Sequence, residues 1–226
     1  MAAVQSPAPT AAAQRVRAPF AVRFAVYLGA ICAVGIGVSL MVEGDLGVAP
    51  NDVLNTGLGD TIGIGVGTAA WLTAIAAMAL AWAMGRRPRI ATVLGSVIVG
   101  LSINVTLAAL PTPDHLAWRI GFVAFGLVVI WAGITGVVTA EVGAGPLELV
   151  MLAIMDRDVS IRLARWGLEL ALLLLGLALG GAAGFGTAVF ALGTGPVLAI
   201  TLPRAARRLG TNLSRPAETA AAAAGP

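Results

Sequence analysis

Two short polar motifs interrupt long apolar runs and hold the residues that could do chemistry. They read "DLGVAPND" (45–52, motif A) and "EVGAGPLE" (141–148, motif B) and begin 96 residues apart. Position by position, both read acid, apolar, Gly, small apolar, small, Pro, any residue, acid. A carboxylate beside a helix start that faces a water-filled cavity attracts a cation, a proton or an amine. The motifs therefore indicate a binding site for a small solute or ion.

Each motif also predicts a turn followed by the start of a helix. The glycine permits a tight turn, and the proline suits the first helical position, where its missing N–H costs nothing. These re-entrant turn residues are Gly47, Pro50, Gly143 and Pro146. The closing acids, Asp52 and Glu148, fall at the third helical position, where they either cap free N–H groups or bind a ligand. The opening acids, Asp45 and Glu141, are interpreted as solvated rim residues.

Four further polar residues are candidates for substrate binding. Asn51 and Asn55 belong to a polar stripe on the first short helix, which a lipid-facing surface would not tolerate. Asn104 lies in the middle of an apolar run, where interhelical hydrogen bonding is the alternative to ligand binding. Glu169 lies about two turns inside its helix, and an i,i+4 pair with Arg165 or snorkelling to the interface would explain it without a ligand.

The composition identifies lipid as the solvent for most of the chain. Of 226 residues, 58% are hydrophobic and 11% are charged, whereas a soluble domain carries about a quarter charged residues. All 14 basic residues are Arg, and they form short clusters between apolar runs. This is the positive-inside pattern of a membrane protein, so the net charge of +3 does not indicate nucleic-acid binding.

The sequence predicts neither a metal site, nor a cofactor, nor an enzyme. Cys32 is the single cysteine and lies within an apolar run, and the single histidine, His115, lies in a loop. A metal site needs several converging ligands, and no such spacing is present. No Ser/His pair or acid dyad suggests intramembrane catalysis.

The apolar runs predict eight helices. Six long ones are expected at roughly 20–42, 67–85, 90–110, 119–140, 161–180 and 186–202, and two short ones at 50–61 and 146–157. A helix of about 12 residues is about 18 Å long, well below the roughly 30 Å of a hydrocarbon core. If both short helices dip in and return, all basic clusters except Arg119 fall on one face. We therefore predict two re-entrant helices and cytoplasmic termini.

The predicted fold is all-α: a polytopic membrane protein with six full transmembrane helices and two short re-entrant helices. Three crossings per half is an odd number, so the second half must run inverted relative to the first. The predicted organisation is a disordered tail (1–18), membrane repeat 1 (19–113), membrane repeat 2 (114–205) and a second disordered tail (206–226).

The motifs also resemble those of a known family. The stretches "GDLGVAPNDVLNTGL", "GIGVGT" and "GAGPLELVMLAI" are similar to the YczE/YitT-type bacterial integral membrane proteins, and the resemblance covers roughly residues 20–205. It implies a multi-pass protein of the bacterial plasma membrane. It implies no catalytic residues.

The first functional hypothesis is a transporter or channel for a small solute or cation, with its site between the two short helices. Asp52, Glu148, Asn51 and Asn55 would line that site, with Asn104 and Glu169 as further candidates. The alternative is a non-transporting scaffold or accessory subunit. Expected partners are the lipid bilayer and a small solute or cation, with a homo-oligomer possible and no nucleic acid.

Overall fold

The computed structural model describes residues 17–211, which form eight α-helices and no strand. These are α1 (Phe20–Gly44), α2 (Pro50–Ile62), α3 (Val66–Ala83), α4 (Ile90–Ala109), α5 (Leu116–Ala140), α6 (Pro146–Met155), α7 (Ile161–Ala178) and α8 (Phe185–Leu209). The all-α fold is confirmed. Most of both predicted tails lies outside the described residues. Where they overlap, α8 continues to Leu209, past the predicted tail boundary at 206.

Five helices are long and apolar enough to cross a membrane: α1, α3, α4, α5 and α8. The remaining long helix, α7, has the same length as α3 but carries Arg162, Arg165 and Glu169 in its first half. Its crossing, and therefore the count of six full spans, stays a prediction. The short helices α2 and α6 have 13 and 10 residues, so each spans only about 15–20 Å.

The centre of the molecule is the antiparallel pair α1 and α5. Glycines allow the two backbones to approach closely: a Cβ added at Gly37 would lie 2.8 Å from Gly126 O, and one at Gly133 would lie 2.8 Å from Ala30 O. Adding 96 to Gly37 and Ala30 gives Gly133 and Gly126. The two contacts are therefore equivalent under exchange of the halves. Close glycine contacts of this kind let transmembrane helices pack without large side chains.

The other helices surround this pair in matching positions. Helix α4 packs on α1 and α8 packs on α5, while both α2 and α6 pack against α3 and α7. On α3, the α2 helix reaches Thr73 through Asn55, and α6 covers Ala77 and Ala81 one to two turns further along. The two short helices thus occupy neighbouring parts of one groove.

Helix α3 starts deeper in the helix bundle than the C-terminal end of its neighbour α4. Gly67 contacts Gly100 and Asn104, whereas α4 continues to Ala109. At 1.5 Å per residue, α3 begins about 10 Å below that end. Asn104 Oδ1 accepts a hydrogen bond from Gly67 N (3.1 Å), which satisfies one of the free N–H groups at this helix start.

The described basic residues gather mainly at one end of the helix bundle. Ala18 N donates to Leu209 O (3.0 Å), so both ends of the described chain meet there, and motif B lies there too because Gly143 contacts Ala91. Near this end lie Arg17, Arg23, Arg86, Arg87, Arg89, Arg204, Arg207 and Arg208. Arg119 lies at the opposite end, beside motif A.

Candidate functional site

Motifs A and B have similar backbone conformations at their opening acids and at their prolines but differ at the glycine, since Gly47 has a φ of +105° and Gly143 has no positive φ. Asp45 and Glu141 directly follow α1 and α5 and are both left-handed, with φ/ψ of 48°/41° and 50°/41°. The residues before the prolines, Ala49 and Gly145, are both extended, and Pro50 and Pro146 begin the short helices, as the sequence predicts. Each motif therefore turns the chain from a long helix into a short one.

Asp52 is a buried carboxylate within the helix bundle. Its residue is 7% exposed, and one carboxylate oxygen accepts a hydrogen bond from Asn55 Nδ2 (3.0 Å). Among the described residues no backbone N–H donates to this carboxylate, so Asp52 does not cap α2 in the way that Glu148 caps α6. Within residues 17–211, no basic side chain forms an ion pair with it. The carboxylate is therefore held by amides alone.

The hydrogen bonds of Asp52 continue into α3. Asn55, only 1% exposed, accepts at Oδ1 from Thr73 Oγ1 (2.7 Å). Asn51 directly precedes Asp52 in α2 and is half-buried beside it. The predicted residues Asp52, Asn51 and Asn55 therefore form one cluster, and Thr73 extends it. Thr73 lies in an otherwise apolar run and was not predicted as a site residue.

Thr56 connects this cluster to the loop between α7 and α8. Its hydroxyl donates to Asp52 O (2.9 Å) and accepts from Ala182 N (3.0 Å). Ala182 O in turn accepts from Val48 N in motif A (3.0 Å). Above this contact lies a cavity of about 230 Å³, lined by residues 45–47 and 182–185. The cluster thus lies next to the line of contact between motif A and residues 182–186, which we call the seam.

Glu148 has the same position in motif B but a different role. One of its carboxylate oxygens accepts from Gly145 N (3.2 Å), so the side chain folds back onto the start of its own helix. This is the capping alternative left open by the sequence. Glu148 and Asp52 lie on helices that share α3 and α7 as neighbours, and no hydrogen bond joins the two side chains among the described residues.

Asn104 and Glu169, the other two predicted binding residues, make the structural contacts that the sequence offered as alternatives to ligand binding. Asn104 bonds to Gly67 N, and its Nδ2 donates to Thr68 Oγ1 (3.3 Å), so it joins α4 to α3. Glu169 Oε1 accepts from Arg165 Nε (2.9 Å) as an i,i+4 pair. Neither belongs to the Asp52 cluster.

The opening acids of the motifs are held by arginines from the other half of the chain. Arg119 donates to Gly44 O (3.0 Å) and Asp45 O (2.6 Å) and pairs with the Asp45 carboxylate. Arg23 donates to Ala140 O (3.0 Å) and lies 3.7 Å from a Glu141 carboxylate oxygen. Each guanidinium therefore binds carbonyls at the end of the partner helix.

The surroundings of these two acids differ. The Asp45 side chain is 74% exposed and fits the interpretation as a rim residue, whereas that of Glu141 is 9% exposed and also pairs with Arg17. The rim interpretation of Glu141 was therefore wrong, because two arginines enclose it. Arg23 and Arg119 are themselves 96 residues apart, so the repeat spacing in the sequence relates these two arginines as well.

Within the described part of the chain, no group of three or more His, Cys, Asp or Glu side chains could hold a metal ion. The acidic and amide side chains of the Asp52 cluster can accept hydrogen bonds from, or coordinate, a small monovalent cation or amine. A single carboxylate supplies fewer anionic ligands than the Ca²⁺ sites of proteins usually have.

Comparison with known proteins identifies the family. Residues 21–203 match the family model described as "Family of unknown function (DUF6198)". An uncharacterized protein of Haemophilus influenzae is 32% identical over 183 residues, which are 80% of this chain and 84% of that protein. The "Uncharacterized membrane protein YczE" of Bacillus subtilis is 31% identical over 214 residues, which are 90% of this chain and 95% of that protein. No solved structure matches the chain.

These similarities confirm the predicted resemblance to YczE-type membrane proteins. Together with the five long apolar helices, they identify a multi-pass integral membrane protein. The chain belongs to the DUF6198 family.

Proposed function

We propose that this protein is a transporter or channel for a small monovalent cation or a protonated amine, and that Asp52 is the central residue of its binding site. One observation carries the proposal: a carboxylate is buried inside an apolar bundle with amide partners and no basic partner among the described residues. A charged carboxylate in that position costs several kcal/mol unless a positive charge or a proton compensates it.

The chemistry of the cluster supports a cation as the missing partner. The carboxylate accepts a hydrogen bond from the amide of Asn55 and keeps further lone pairs for a ligand. The carbonyl oxygen of the Asn55 amide already accepts from Thr73, which fixes the orientation of the amide. A small cation or an ammonium group would find one full negative charge and several oriented dipoles.

The position between two short helices also supports transport. Irregular backbone at membrane depth is tolerated where protein buries it or where it lines a cavity, and transporters place their sites at such breaks. In our proposal the two halves are inverted repeats, α2 and α6 enter from opposite faces, and the motif B face is cytoplasmic in the plasma membrane. The equivalent contacts of Gly37 and Gly133 support the repeat.

The transport proposal is tested with purified protein in proteoliposomes on a solid-supported membrane. Concentration jumps of Na⁺, K⁺ and methylammonium are applied in turn, and the transient currents are recorded. We expect a current with at least one cation in the wild type and a loss of at least tenfold in Asp52→Asn. Glu169→Gln is the matched control, because it neutralises a carboxylate outside the cluster, and it should keep the current.

Equal currents in Asp52→Asn and the wild type would exclude Asp52 from the pathway. No current with any of the three cations in correctly folded wild-type protein would contradict the proposal and favour the non-transporting scaffold or accessory subunit.

The orientation is tested separately with single cysteines in a Cys32→Ala background. Cysteines at positions 88 and 183 are exposed to an impermeant maleimide on intact cells. We expect labelling at 183 and protection at 88 until the membrane is permeabilised. Labelling at 88 on intact cells would contradict the proposed orientation.

A further inference from the structure

We infer that the seam between motif A and the 182–186 loop is a gate over the Asp52 cluster, opened by separation of the two backbones. This inference rests on the proposed function, since it assigns the route by which a ligand reaches that site. The seam consists of three hydrogen bonds: Val48 N to Ala182 O (3.0 Å), Gly186 N to Leu46 O (2.7 Å) and Ala182 N to Thr56 Oγ1 (3.0 Å).

Two of the three hydrogen bonds of the seam join backbone to backbone, and the third uses the Thr56 hydroxyl. A Cβ added at Gly47 would lie 2.5 Å from Gly184 N, and one at Gly184 would lie 2.6 Å from Leu46 O. Gly47 also has a φ of +105° and Gly180 one of +79°, conformations that glycine adopts without strain. A contact between glycine backbones of this kind closes tightly, because no Cβ separates the two chains.

The hydrogen bonds of the seam are few enough to open reversibly. Each contributes a modest net amount to stability, because water replaces the lost partner when the contact opens. The cavity of about 230 Å³ lined by residues 45–47 and 182–185 borders the seam and has room for that water. Once Ala182 leaves Thr56, the face of α2 that carries Asp52 and Thr56 is uncovered, since these two residues lie one turn apart.

Motif B provides an internal control, because a side chain makes its corresponding contact. Thr92 Oγ1 donates to Ala144 O (2.8 Å), and Gly143 packs against the Ala91 methyl group. Thr92→Val and Thr56→Val each remove one hydroxyl while keeping the shape of the side chain. Each variant therefore removes one hydroxyl contact, at opposite ends of the molecule, although Thr92 is not the repeat counterpart of Thr56, since the residue 96 positions after Thr56 is Leu152.

The experiment measures how fast a cysteine at position 55 reacts with a cationic, membrane-impermeant methanethiosulfonate applied from the motif A face. The reporter is Asn55→Cys in a Cys32→Ala background, and Thr73→Cys replaces it if Asn55→Cys fails to insert. We expect Thr56→Val to raise the reaction rate at least fivefold. Thr56→Ser, which keeps the hydroxyl, and Thr92→Val should leave the rate within twofold of the parent.

An unchanged rate in Thr56→Val would overturn the gate. An equal rise in Thr92→Val would also overturn it, because general loosening would then explain the access. The result does not depend on transport: a gate that opens in Thr56→Val, combined with normal currents in Asp52→Asn, would retain the gate and reject the proposed site.

Discussion

Motif A and motif B show how two similar turns can serve different purposes. Both follow a long helix, pass through a left-handed acid and begin a short helix with proline. In motif A the closing acid, Asp52, is buried with Asn55 and Thr73. In motif B the closing acid, Glu148, caps its own helix. The shared backbone provides the turn, and the neighbouring side chains decide whether its acid is available to a ligand.

The difference extends along the two short helices. Residues 96 positions after Asn55 and Thr56 are Met151 and Leu152, so α6 lacks the polar side chains that surround Asp52 in α2. Motif B is instead the more strongly fixed end, since Arg23 and Arg17 enclose Glu141 there. We interpret motif A as the functional half and motif B as its structural counterpart.

The largest difference in stability is expected between the two arginines. Arg23→Met should lower the free energy of unfolding by about 2–4 kcal/mol, because it leaves buried carbonyls and the enclosed Glu141 without this donor. Arg119→Met should cost about 1 kcal/mol or less, because Asp45 is mostly exposed to water. Reversible unfolding in mixed SDS–detergent micelles measures both values. Equal losses would refute the difference between the two ends.

The second-largest difference in stability is expected between substitutions of the two motif glycines, Gly47 and Gly143. Gly47→Ala places a Cβ 2.5 Å from Gly184 N in a left-handed backbone, and we expect a loss of about 2–3 kcal/mol. Gly143→Ala meets only the Ala91 methyl group, at 2.7 Å, in an ordinary backbone, and a loss of about 1–2 kcal/mol is expected. The same unfolding assay compares them, and a larger loss in Gly143→Ala would contradict this ranking.

The role of Glu148 as a cap predicts a smaller effect. Glu148→Ala removes the acceptor for Gly145 N and should cost about 1 kcal/mol. Glu148→Gln keeps a side-chain oxygen at that place and should stay within about 0.5 kcal/mol of the wild type. If Gln were as damaging as Ala, the negative charge of Glu148 would matter for more than the cap.

The smallest effect on the free energy of unfolding is expected when the pH is lowered. The hydrogen bond from Arg86 lowers the pKa of the Asp156 carboxyl, so the folded state holds the ionised form more tightly than the unfolded state does. This stabilisation is present above the unfolded pKa of about 3.9 and is lost as the pH falls through the lower folded pKa. Because the Asp156 side chain is half exposed, we expect less than about 1 kcal/mol.

The pH effect is measured as the change in unfolding free energy between pH 6 and pH 3. Asp156→Asn should remove the pH-dependent part, while Asp60→Asn, the residue 96 positions earlier, serves as the control. An unchanged pH dependence in Asp156→Asn would show that the ion pair contributes nothing in solution.

Much of this architecture could be predicted from the sequence because it depends on local signals. Apolar runs determine where the helices form, and the glycine–proline spacing of the motifs determines where the turns form. The division of roles between Asp52 and Glu148 could not be predicted, because it depends on which side chains distant helices place beside them. Thr73 reaches Asn55 only after α2 and α3 pack. The pairing of Arg23 with α5 likewise requires the antiparallel packing of α1 and α5.

The most direct test of the central claim compares Asp52→Asn with Glu148→Gln in the same reconstituted preparation, using the cation that gives the largest wild-type current. If motif A holds the site and motif B only its structural copy, the current falls at least tenfold in Asp52→Asn and stays within twofold of the wild type in Glu148→Gln. Equal losses in both variants, or the loss in Glu148→Gln alone, would contradict that assignment.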